Sequence, residues 1–74
     1  MTEAPFTLRG DHIALDALLK ATGLAESGGR AKAMIAEGLV RVDGEVETRK
    51  TCKIRAGRRV QCGATMIAVL PVPG

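Results

Sequence analysis

Two short stretches hold the residue types that could do chemistry. The first is Ser27-Gly28-Gly29-Arg30-Ala31-Lys32, a serine and two glycines at the head of an amphipathic segment. The second is Arg49, Lys50, Lys53, Arg55, Arg58 and Arg59, six bases with no acid anywhere in residues 49–74. Both suit the capture of anions. The first turn of a helix presents unpaired backbone N–H groups and the positive end of its dipole. Ser27 suits the N-cap, where its hydroxyl would satisfy one of those donors. Gly28 and Gly29 have no Cβ, so a bulky phosphate could approach the remaining N–H groups closely. Two glycines in a helix interior cost about 1 kcal/mol each, somewhat less at a first turn, so a site with no need for close approach would gain by replacing them. The plain alternative is a loop that delays the helix.

Arg30 and Lys32 are two positions apart, about 200° around a helix. They flank the apolar stripe on opposite sides and cannot close into one clamp. The planar fork of Arg30 suits phosphate, and Lys32 suits a point charge; an ordinary solvated side chain is the alternative for either.

Residues 1–48 hold five bases and eight acids, net −3, while residues 49–74 are +6. A polyanion, nucleic acid above all, is the natural partner for the second half. A solvated basic face is the bland alternative. The chain has no Tyr or Trp, and Phe6 is its only aromatic. Single-strand base reading leans on aromatic stacking platforms, so recognition of backbone and shape is expected instead.

Other chemistries find little here. His12 is the lone histidine, and the spacing of Cys52 and Cys62 fits no zinc pattern. No triad can be assembled around Ser27, which is read as a cap and not a nucleophile. The expectation is therefore no enzyme, no catalytic residue, no metal, no cofactor and no small-molecule substrate. The two thiols are expected reduced unless adjacent strands bring them face to face. The longest apolar run near the N-terminus is too short for a signal core or membrane span, so a cytoplasmic protein is expected; a monomer is expected as well.

The elements that must position these residues follow from local pattern. A chain of 74 residues is one small domain, burying about 60% of its unfolded surface. Leu15, Leu18 and Leu19 share one helical face within about residues 14–22, and Gly23 fits the C-terminal cap. Ser27 opens a second helix whose stripe is Ala31, Met34, Ile35 and Gly38, and Gly38 closes it. The period then changes to two at Val40 and Val42, and Asp43-Gly44 is a strong hairpin signal. A two-residue turn would set Val42 opposite Glu45 and Val40 opposite Glu47, acids on the valine face; a bulge or an early departure from pairing would relieve this. Residues 52–54, 59–62 and 66–70 read as short strands. If the first two are neighbours, the Ala56-Gly57 turn gathers Arg55, Arg58 and Arg59 at one end. Residues 1–5 and the tail 71–74 are expected to be flexible, leaving one domain over 6–70. The class is α+β: two short helices, then a β-hairpin and a small, mainly antiparallel sheet.

The ordered series Leu15-Asp16-x-x-Leu19, Ser27-x-x-x-Ala31-x-x-x-Ile35-x-x-Gly38-x-Val40-x-Val42-Asp43-Gly44 and Ile54-x-x-Gly57-x-x-Val60 resembles the S-four RNA-binding domain. Short stand-alone bacterial members are the most similar, including at Glu47-x-Arg49-Lys50. The resemblance implies the family's alpha-L arrangement and a partner in structured RNA, often ribosomal. Carried over by position, it implies RNA-facing roles for Ser27, Gly29, Arg30, Lys32 and the bases after the hairpin. Three positions depart from the pattern. Gly28 stands where many members have arginine, Asp43 replaces the usual asparagine, and Gly57-Arg58 replaces a common Gly-Asp. Two rival classes fit the size: a ubiquitin-like sulfur carrier, disfavoured by the Pro71-Val72-Pro73-Gly74 end, and an adaptor using the acidic half.

Overall fold

Three leucines make the first helix. In the computed structural model, which describes residues 2–73, Leu15, Leu18 and Leu19 are fully buried along α1 (Leu15–Ala21). Thr22 ends it by donating its hydroxyl to the Leu18 carbonyl at 2.9 Å, and Gly23 follows with φ of 81°. Helix α2 (Gly28–Ala36) buries Ala31, Met34 and Ile35. Its end is a Schellman turn: the Gly38 N–H donates to Ile35 and the Leu39 N–H to Met34, both at 3.1 Å.

Beyond Gly38 the chain becomes β3 (Val40–Val42), a two-residue turn and β4 (Glu45–Val46). Asp43 and Gly44 have φ of 52° and 87°, the double positive that a type I′ turn requires. Val42 pairs with Glu45 and Arg41 with Val46. The Glu47 N–H still donates to the Val40 carbonyl at 3.0 Å, and pairing then stops. There is no bulge: Glu45 stands opposite Val42 and is exposed, and regular pairing ends after Val46. Strands β5 (Lys53–Ile54), β6 (Arg59–Cys62) and β7 (Thr65–Leu70) lie close to the expected segments.

Two features correct the sequence reading. Residues 1–5 were expected to be free, yet β1 (Thr2–Thr7) runs parallel to β7 from Thr2↔Thr65 to Thr7↔Leu70; Met1 lies outside the described residues. The physical reason is a hidden alternation. Ala4 and Phe6 sit opposite the buried Ile67 and Val69, and Pro5 is tolerated because β1 is an edge strand. The second correction is β2 (Ile13–Ala14), which claims β5 as its antiparallel partner, so β5 does not neighbour β6. The sheets are therefore β1-β7-β6-β3-β4 and β2-β5. Only the β1–β7 contact is parallel, and the α+β class stands.

One face of the larger sheet supplies Val40, Val42, Val60, Ile67 and Val69 to a core completed by Ile54 and the two helices. Cys62, opposite Val40, packs against that core, whereas Cys52 precedes β5 in the other sheet; both are free thiols. Pro71–Pro73 are exposed and lie outside any strand, and Gly74 falls outside the described residues.

Candidate nucleic-acid interface

The tip of α2 is built as its sequence suggests. Ser27 Oγ accepts the Arg30 N–H at 3.1 Å, and the Ser27 carbonyl accepts the Ala31 N–H. Gly28 and Gly29 are left as the open donors of the first turn among the described residues. Neither has a positive φ. A Cβ at Gly28 would meet nothing within 4 Å, and one at Gly29 only Ser27 Oγ at 3.9 Å. Neither backbone strain nor internal packing therefore explains these glycines.

One turn further on, Lys32, Ala33 and Ala36 face the segment Thr48–Thr51 across an open hollow of about 550 Å³. The N-terminus of α1 holds that segment in place. Its Leu15 and Asp16 N–H groups donate to the carbonyls of Cys52 (2.9 Å) and Lys50 (3.1 Å). Small side chains at Ala33 and Ala36 keep the hollow open, with Lys32 on one bank and Arg49 and Lys50 on the other. Arg30 does not line that hollow.

A second hollow of about 400 Å³ is lined by Glu47, Arg49, Thr51, Cys52, Lys53 and Arg58. It shares Arg49 and Thr51 with the first, so Lys32, Lys50, Arg49, Lys53 and Arg58 follow one another along a single surface. Ser27, Gly28 and Gly29 line neither hollow. Helix α2 contributes Lys32 to the first hollow.

The six-base run does not stay together. Because β5 pairs with β2, Arg55 faces Asp11 at 3.4 Å, beside Pro71 and Val72. Arg58 instead reaches Asp43 Oδ2 at 3.2 Å, while the Arg59 N–H donates to Asp43 Oδ1 at 3.0 Å. The Arg59 side chain, alternating with buried Val60, belongs to the outer face of the sheet with Gln61 and Arg41. The expected gathering of Arg55, Arg58 and Arg59 at one corner is thus replaced by three separate placements. Arg49 is paired with Glu47. Lys32, Lys50 and Lys53 have no carboxylate within 4 Å among the described residues.

The acids are what sequence reasoning missed. Glu47, Asp11 and Asp43 each take one arginine of the run. Only Glu47 was signalled locally, by lying two residues before Arg49. Its carboxyl is pulled down to about 2, foremost by the hydrogen bonds of the Arg49 side chain and amide. Burial pushes both thiols upward. Among the described residues no group of three His, Cys, Asp or Glu could hold a metal, and no helix is long and apolar enough to cross a membrane.

Comparison with known proteins identifies the family and the fold. The Escherichia coli (strain K12) protein named "Putative RNA-binding protein YbcJ" is 50% identical over 68 residues, spanning 90% of this chain and 97% of that one. The Shigella flexneri "Uncharacterized protein YbcJ" matches to the same extent. The solution structure of the E. coli protein, described as revealing an alfaL motif involved in RNA-binding, aligns with a TM-score of 0.71 at 50% identity, over 90% of this chain and 86% of that one. A family model described as the S4 domain matches residues 6–70. On a match of that extent, the chain belongs to the S4 domain family.

Proposed function

We propose that this chain is a non-catalytic RNA-binding domain, a cytoplasmic monomer that grips structured RNA, ribosomal RNA foremost, by its phosphates and shape. The observation that carries the reading is the continuous surface of Lys32, Lys50, Arg49, Lys53 and Arg58 around two open hollows. Cations held this near one another repel, and a polyanion relieves the repulsion. The Arg58 pair joins two half-exposed side chains; such a pair is worth about 0–1 kcal/mol and does not prevent a shift of Arg58 toward phosphate. Lys32, Lys50 and Lys53 are the primary phosphate contacts, with Arg49 and Arg58 beside them. Ser27, Gly28, Gly29 and Arg30 form a second, helix-tip contact, and Arg55 and Arg59 act at the margins. The description of the E. coli relative as RNA-binding supports the same partner.

The test is an anisotropy titration of structured RNA, duplex DNA and heparin across a salt series. Preference for structured RNA is expected, with a log–log salt slope of about −0.7 to −0.9 per phosphate contact. Equal affinity for all three polyanions would reduce the reading to generic charge attraction. Absence of binding at low salt would remove it.

A further inference from the structure

Glu47 is an acid placed among the bases of a surface read as binding a polyanion. By charge alone it should weaken that binding, and its geometry suggests why it is there. Oε1 accepts the Arg49 backbone N–H at 3.0 Å and Arg49 Nε at 3.2 Å, while Oε2 accepts Nη2 at 3.2 Å. The carboxylate thus grips one edge of the guanidinium and also the amide of the residue that opens the 49–52 turn. An arginine has five N–H donors in a rigid fork. Gripping Nε and one Nη2 hydrogen leaves the opposite edge, formed by Nη1 and Nη2, without a partner among the described residues. Exposure is divided in the same sense: the Glu47 side chain is 19% exposed and that of Arg49 is 77% exposed. The acid sits behind the base, and the base fronts the hollow shared with Lys32 and Lys50.

We propose that Glu47 is a positioning residue for RNA binding: its carboxylate fixes the plane of the Arg49 guanidinium so that the Nη1/Nη2 edge can take a phosphate in a two-bond fork. This rests on the RNA-binding reading above and adds to it a role for an acid. A carboxyl held down to about 2 by Arg49 remains ionised at neutral pH, so the brace is in place before ligand arrives. A guanidinium fixed in advance loses less freedom on binding, and a bidentate fork is geometrically selective in a way a point charge is not.

The sign of the effect separates this role from simple charge. Glu47→Gln removes one negative charge while keeping an oxygen that can accept from the Arg49 amide. Measured by fluorescence anisotropy on a labelled RNA hairpin, with melting curves to confirm folding, it should weaken binding about 3- to 10-fold, the range set by one side chain losing its preorganisation. In an Arg49→Met background the same change should cause no further loss. Arg49→Lys, which leaves Glu47 untouched and preserves the charge, should also weaken binding. Equal or tighter binding by Glu47→Gln would overturn the proposal, as would wild-type affinity in Arg49→Lys or an undiminished effect in Arg49→Met. A wild-type protein that binds no RNA would overturn both this role and the reading beneath it.

Discussion

Replacing Asp43 should separate the two functions its carboxylate serves. Asp43 sits at the hairpin tip with φ of 52°, in the left-handed region that costs an ordinary side chain about 1–2 kcal/mol and Asp or Asn less. Its Oδ1 accepts the Arg59 N–H at 3.0 Å, a bond worth about 0.5–1.5 kcal/mol. Its Oδ2 meets Arg58 Nη1 at 3.2 Å, with side chains 46% and 51% exposed, so that pair contributes no more than about 1 kcal/mol. Asp43→Ala loses all three, about 2–3 kcal/mol together. A domain of 74 residues has about 4–11 kcal/mol in total, and melting falls by about 4–8 °C per kcal/mol at this size. Asp43→Ala should therefore melt about 10–20 °C below wild type. Asp43→Asn keeps the acceptor and the turn geometry and should lose only a few degrees. By releasing Arg58 and removing a negative charge, it should also tighten RNA binding. Calorimetry of the two variants side by side is the assay. If both melted together, the Oδ1 bond and the turn would not be what anchors β3 to the Arg58–Arg59 corner.

Other perturbations test neighbouring parts of the account. Gly28→Ala meets open space and Gly29→Ala only Ser27 Oγ at 3.9 Å; each should stabilise the fold by up to about 1 kcal/mol of helix propensity, while weakening RNA binding if phosphate uses the helix tip; unchanged affinity would remove the tip from the site. Glu47 has a folded-state value depressed from 4.5 to about 2, so the unfolded chain takes up its proton first. Its contribution is complete above about pH 4.5 and is lost as pH falls toward 2. The melting-temperature difference between wild type and Glu47→Gln should shrink over that window, and a constant difference would contradict the ion pair. Cys52 and Cys62 are free, and burial raises both thiols. Reductant should leave the melting temperature unchanged, and reaction with a thiol reagent at pH 7 should be much slower than in denaturant.

What could be read from the chain was what local chemistry dictates. Gly23 and Gly38 stop their helices, Ser27 caps one, and Asp43-Gly44 turns the hairpin, each through contacts a few residues away. The β1–β7 pairing joins the two ends of the chain, and nothing near Thr2–Thr7 names so distant a partner. Strands β2 and β5 are two residues each, too short to show a period. Misplacing β5 then misplaced Arg55, whose partner Asp11 lies 44 positions away. The same limit governs the site. The basic run was plain in the composition, but neutralisation of Arg58 by an acid 15 positions upstream was not. Nor was the approach of Lys50 to Lys32, which depends on α1 offering its first N–H groups to residues 50 and 52.

The most direct measurement compares charge reversal at two places on otherwise intact protein. Lys32→Glu and Lys50→Glu alter the two banks of one hollow, while Lys20→Glu changes the same charge in the last turn of α1. Binding to structured RNA should fall steeply for the first two and shallow the salt slope by about one contact each, with Lys20→Glu remaining near wild type. Equal losses at all three positions would mean that overall charge, and not the surface between α2 and the 48–51 segment, governs binding.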